Sequence, residues 1–72
     1  MIEIFKTNVI KKRAAKSIVT ELMEILPNAF VNFDLDDCDR ILRVQTADKN
    51  FEKRVIKVVN KMGFHCEILN DK

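Results

Sequence analysis

Glycine and proline occur once each in this chain of 72 residues, at Gly63 and Pro27. So little loop chemistry excludes long irregular connections and any glycine-rich phosphate cradle, and it predicts that regular elements joined by short turns dominate. The chain also holds one histidine, His65, and no serine or cysteine nucleophile is set beside it by a recognisable motif, so a catalytic relay has nothing to assemble from. Two cysteines, Cys38 and Cys66, allow at most one bridge, too few for a secreted disulfide scaffold, which favours reduced thiols. No apolar run approaches the roughly 20 residues that span a bilayer, and Met1 to Thr7 is strand-like with no signal-peptide pattern. The expectation is a cytoplasmic protein without membrane insertion. Neither charge dominates: 13 Lys and Arg against 11 Asp and Glu leave a formal +2, which neither demands nor excludes an anionic partner.

What is present is the material of one small domain covering residues 1–72. With 47% hydrophobic and 33% charged residues the chain is globular in composition, and at this length only about 60% of the unfolded surface is buried, so nearly every apolar side chain has to contribute to one core. Met1 to Thr7 mixes Ile2, Ile4 and Phe5 with polar residues and predicts a strand. From Lys11 to Leu26, the apolar residues Ala15, Ile18, Val19, Leu22 and Leu26 recur at intervals of three and four, one stripe of a helix that Pro27 terminates. Ala29 to Leu35 alternates as a strand with one buried face, Asp36, Asp37, Cys38 and Asp39 supply a hairpin turn, and Arg40 to Thr46 returns as a strand. Asp48 is the expected N-cap of a second helix, whose stripe is Phe51, Val55, Val58, Val59 and Met62, and Gly63 falls where a left-handed cap ends it. Phe64 to Leu69 is the last strand, with Cys66 on its apolar face as a small core hydrophobe, and residues 70–72 are a tail expected to fray.

The order βαββαβ, in which residues 1–36 answer residues 37–72, predicts an α+β ferredoxin-like sandwich. Both one-striped helices cover one face of a four-stranded antiparallel sheet in the order 4-1-3-2. The loop after the first strand, the Asp36 to Asp39 hairpin and the Gly63–Phe64 turn then gather at one end. On the uncovered face, Phe30, Ile41 and Leu69 are expected with either Phe5 or the pair Ile2 and Ile4, a candidate oligomer or partner surface.

Over its whole length the chain resembles the heavy-metal-associated domains, small copper or zinc modules that occur as free metallochaperones and as N-terminal domains of metal-transporting ATPases. The resemblance lies in Thr7-Asn8-Val9 entering the first loop, in Leu26-Pro27 before the second strand, as in the family's LPGV turn, and in Gly63-Phe64, which resembles the family's GY. It implies a CxxC pair at the start of the first helix, and that spacing falls on Lys11 and Ala14. Neither position offers a sulfur, and a lysine ammonium has no free lone pair for a soft cation. The resemblance therefore implies a degenerate, non-enzymatic member without a cofactor, a protein-interaction or regulatory module with a protein partner or a second copy of itself.

Two other readings stand beside it. Cys38 in the hairpin and His65 after the Gly63 turn, with the hairpin aspartates, are a chemically legal zinc or copper set on elements that no ligand spacing joins. The basic run Lys11, Lys12, Arg13 and Lys16 opposes the helix macrodipole, which suggests a role outside the helix, with an acidic partner or an anion. Nucleic acid is the weaker choice, because single-strand binders on such sheets stack bases on exposed aromatics and only Phe30, with Phe5 as a second candidate, offers one. An enzyme is not expected: acylphosphatases share the fold class, but the segment Thr7 to Arg13 lacks their glycines.

Overall fold

The computed structural model describes residues 1–36, 38 and 40–69. Six elements follow in the order β1 (Ile2–Thr7), α1 (Lys12–Ile25), β2 (Phe30–Asp34), β3 (Ile41–Gln45), α2 (Phe51–Lys61) and β4 (Cys66–Ile68). The strands form one sheet, β2-β3-β1-β4, with every neighbouring pair antiparallel. This is the ferredoxin-like α+β sandwich in the expected strand order.

Both helices lie on one face because each has a single stripe to bury. Ala15, Ile18 and Leu22 of α1 and Phe51, Val55 and Val59 of α2 join Phe5, Leu42, Val44 and Cys66 of the sheet in one continuous core. Burial of each large aliphatic or aromatic side chain contributes about 1.5–3 kcal/mol, and in so small a domain no second core supplements this one. The register settles the orientation of β1. Phe5 pairs with Leu42 and Ile68 on the helix side, whereas Ile2 and Ile4 stand on the open face opposite Gln45 and Arg43.

Sequence and structure part in a few places. Asp48 does not cap α2. Its N–H is taken by the Thr46 hydroxyl at 3.2 Å, and Asn50, in the left-handed region at φ 60°, turns the chain so that the helix starts at Phe51 without a side-chain cap. Ile41 is on the open face yet only 5% exposed, standing in the ladder between Lys6 and Asp34. Ile68 shares the core face with Phe5 but is partly exposed, as suits a three-residue edge strand. The expected fraying of the tail, and the Asp37 and Asp39 donors, lie outside the described residues.

The C-terminal cap of α2 follows the expected form in detail. Phe64 N–H donates to the Val59 carbonyl at 3.1 Å and Gly63 N–H to the Asn60 carbonyl at 3.0 Å, the paired bonds of a Schellman turn, with Gly63 at φ 97°. This cap delivers Phe64 and His65 to the same end of the sheet as the β1–α1 loop.

Candidate functional site

At that end three connections meet, and two polar residues tie them together. Thr7, the last residue of β1, is nearly buried; its hydroxyl donates to the Arg40 carbonyl at 2.7 Å, reaching the start of β3, and accepts the Val9 N–H at 3.2 Å, holding its own loop. The next residue, Asn8, accepts the His65 N–H on its side-chain oxygen at 2.8 Å, joining the loop to the chain between α2 and β4. Val9 then drops into the core and is fully buried, which forces Ile10 outward, where 68% of it is exposed. The loop is short, pinned on both flanks and anchored in the middle. Its conformation is preorganised.

From this loop α1 begins under unusual charge. Lys11 sits at the N-cap with no side-chain capping bond, Lys12, Arg13 and Lys16 are exposed on the first turns, and the first turn has no acidic residue. Cations at a helix N-terminus face the positive end of the macrodipole, so this arrangement costs the helix a few tenths of a kcal/mol to about 1 kcal/mol. On one side of α1 a depression of about 340 Å³ is lined by Lys12, Ala15, Phe33, Asp34, Leu35 and Asp36, where cationic and acidic groups share one rim. On the other side a smaller one of about 300 Å³ is lined by Asn8, Ile10, Lys11, Ala14 and Phe64, and its surface is mostly apolar.

In fold the chain is similar to two solved domains. The yeast copper transporter domain Ccc2a, known in apo and Cu(I)-loaded states, superimposes with a TM-score of 0.73 at 16% identity, covering 99% of this chain and 97% of that one. The N-terminal domain of PacS from Synechocystis PCC6803 gives 0.70 at 11% identity over 97% and 98%. The chain shares the fold of these two domains. No family model matches the sequence, and no curated protein sequence matches it either. At these identities the likeness to the two heavy-metal-associated domains is one of architecture.

The residues at the loop do not suit a soft metal ion. Lys11 and Ala14, where the resemblance puts thiolates, supply an ammonium without a lone pair and a methyl group. Ala14 is half-buried against the core, and Lys11 is exposed. The other proposed pair is no better placed. Cys38 is exposed on the β2–β3 turn and His65 leads into β4, and although both are at the loop end, β4 lies two ladder spacings from β3, on the order of 10 Å. His65 instead has its Nε2 3.3 Å from the Glu67 carboxylate, in an exposed pair of little energetic weight. Among the described residues, no three His, Cys, Asp or Glu side chains cluster so as to hold a metal. Cys66 is buried opposite Thr7, and burial, with a smaller contribution from the Glu67 charge, pushes its thiol up to about 12, so it is neutral near pH 7.

Three participants escaped the sequence reading: Asn8, as the clamp on His65, and Phe64 and Ile10, as walls of the apolar depression. A polar pair directly after a strand was the available signal for the first. Nothing local signals the other two, since Phe64 and Ile10 are 54 residues apart and meet only through the fold.

Proposed function

We propose that this protein is a non-enzymatic, heavy-metal-associated-like domain with a degenerate metal loop, acting as an interaction or regulatory module that docks a protein partner at its loop end. The observation that carries this reading is the replacement at the loop. Where the fold's resemblance expects two thiolates, the chain has Lys11 and Ala14 beside an apolar depression, under an exposed basic cluster of Lys11, Lys12, Arg13 and Lys16. The scaffold around it stays pinned by Thr7 and Asn8, which is what a rigid recognition surface needs and what a relict loop would lose.

The other readings have less support. A copper or zinc site built on Cys38 and His65 has its ligands on separated elements. Nucleic-acid binding through stacking is left with Phe30 alone, because Phe5 is in the core. Titration of the reduced protein with Cu(I) and with Zn(II), monitored by calorimetry, tests the proposal: absence of tight stoichiometric binding is expected, and a one-to-one complex with either ion would overturn it.

A further inference from the structure

The depression between the first loop and Phe64 pairs two recognition chemistries, apolar and cationic. Its walls, Ile10, Ala14 and Phe64, are apolar, and Ile10 stands out on a loop that is otherwise held down. Its rim toward α1 is cationic through Lys11, with the exposed Lys12 and Arg13 next in sequence and no acidic residue in that first helical turn. The nearest described carboxylates on the far flank of α1, Asp34 and Asp36, line the other depression with Lys12, while Glu67 is drawn to His65. At about 300 Å³ the hollow is at the small end of the range of ligand sites, and being shallow it cannot enclose most of a free small molecule, as such sites do. It suits one protruding side chain of a larger partner.

We infer that this hollow receives a protein segment presenting one bulky apolar side chain flanked by carboxylates, the apolar group seated against Ile10, Ala14 and Phe64 and the acids facing Lys11. The inference rests on the loop end being a docking surface and adds the chemistry of what docks. Apolar anchors in a pocket carry most of the affinity of such contacts, and the charge complementarity sets orientation and excludes cationic segments. An exposed isoleucine in a cationic setting is therefore a selectivity device: neither a purely acidic strand nor a purely apolar one satisfies both halves.

The test uses nitrogen-15 labelled protein and a capped synthetic peptide carrying one phenylalanine with two aspartates on each side. Amide shifts are expected at Asn8, Ile10, Lys11, Ala14 and Phe64. Binding should weaken by roughly tenfold or more when the peptide phenylalanine becomes alanine, or when its aspartates become lysines. Ile10→Ser and Lys11→Glu change exposed residues, so the spectrum stays dispersed while binding falls by a similar factor. Absence of shifts, shifts confined to the open sheet face around Phe30, or unchanged binding by Ile10→Ser would each overturn the inference. So would concentration-dependent shifts of the same amides without peptide, which would identify a second copy as the occupant. The spectra are recorded with chelator present, so a failure here is separable from metal binding, which strikes at the functional proposal instead.

Discussion

The Thr7 hydroxyl donates to the Arg40 carbonyl at 2.7 Å across 33 residues of sequence, while accepting the Val9 N–H at 3.2 Å. One small side chain thus fixes the first loop against the start of β3, and does so at a position that is only 5% exposed. Thr7→Val keeps the shape and removes both bonds, leaving the Val9 N–H without this partner and the Arg40 carbonyl with the longer bond from the backbone N–H of residue 7, at 3.3 Å. The expected loss is about 1–3 kcal/mol, read as a lower urea midpoint with unchanged slope. Thr7→Ser, which keeps the hydroxyl, should recover most of it; a Thr7→Val variant as stable as the parent would mean that the bonds do not matter.

Gly63 offers a cleaner backbone test. A Cβ built at this position meets nothing within 4 Å, so substitution brings no clash and its whole effect comes from φ 97°. Gly63→Ala should destabilise by about 1–2 kcal/mol, and Gly63→Asn by less, since asparagine tolerates left-handed backbone better. Thermal melting resolves this, because in a domain of this size each kcal/mol moves Tm by roughly 4–8 °C. An alanine variant that melts with the parent would contradict the cap geometry.

These residues also show what was legible beforehand. The stripe of Ala15, Ile18 and Leu22, the stop at Pro27 and the cap at Gly63 were readable because each is a local rule acting within one or two helical turns. The start of α2 was not: Asp48 looks like a cap from composition, but Thr46 captures its N–H first and Asn50 reverses the chain. The faces of β1 stayed open because Ile2, Ile4 and Phe5 satisfy both phases of an alternating pattern, and only the pairing of Phe5 with Leu42 decides between them. At the candidate site the absence of sulfur at Lys11 and Ala14 was plain in the sequence. The hollow beside them depends on Phe64 arriving from the other half of the chain.

Burial of Cys66 has a pH consequence. Its folded-state pKa is raised, to about 12, so the folded chain holds the proton after the unfolded chain has begun to lose it. The contribution is complete below the unfolded thiol's pKa of about 8.5 and declines as pH rises from there toward 12, at up to about 1.4 kcal/mol per unit. Comparing the parent with Cys66→Ala between pH 7 and pH 10.5, the stability gap should narrow as pH rises. At pH 8 a thiol reagent should modify exposed Cys38 quickly and Cys66 only on unfolding. Two equally fast thiols would refute the burial.

Phe30 and Phe51 provide a contrast within one residue type. Phe51 is fully buried at the start of α2, whereas Phe30 is 77% exposed on the open face, in the same cross-strand row as Gln45 and Ile2. Phe51→Ala should cost about 3–5 kcal/mol, comparable with the whole stability of a small domain, and abolish a cooperative melt. Phe30→Ala should stay within about 0.5 kcal/mol. If Phe30→Ala destabilised in a concentration-dependent manner, the open face would be a self-association surface, detectable by sedimentation of the parent.

The proposed function also predicts what supplying sulfur at the loop should do. The backbone from Thr7 to Ala15 is held by hydrogen bonds that involve neither Lys11 nor Ala14 side chains, so exchanging both for cysteine leaves the supports intact. Lys11 is exposed and Ala14 only half-buried, so two thiols are accommodated without opening the core. The double substitution Lys11→Cys with Ala14→Cys also removes the ammonium that repels a cation. The reduced variant should then take up one Cu(I) or Zn(II) in competition with a chromophoric chelator, with affinity falling at low pH as the thiolates are protonated. Parent protein and single variants should not compete. If the double variant failed to bind while keeping its fold, the loop would differ from a metal-holding one in more than its two missing sulfurs.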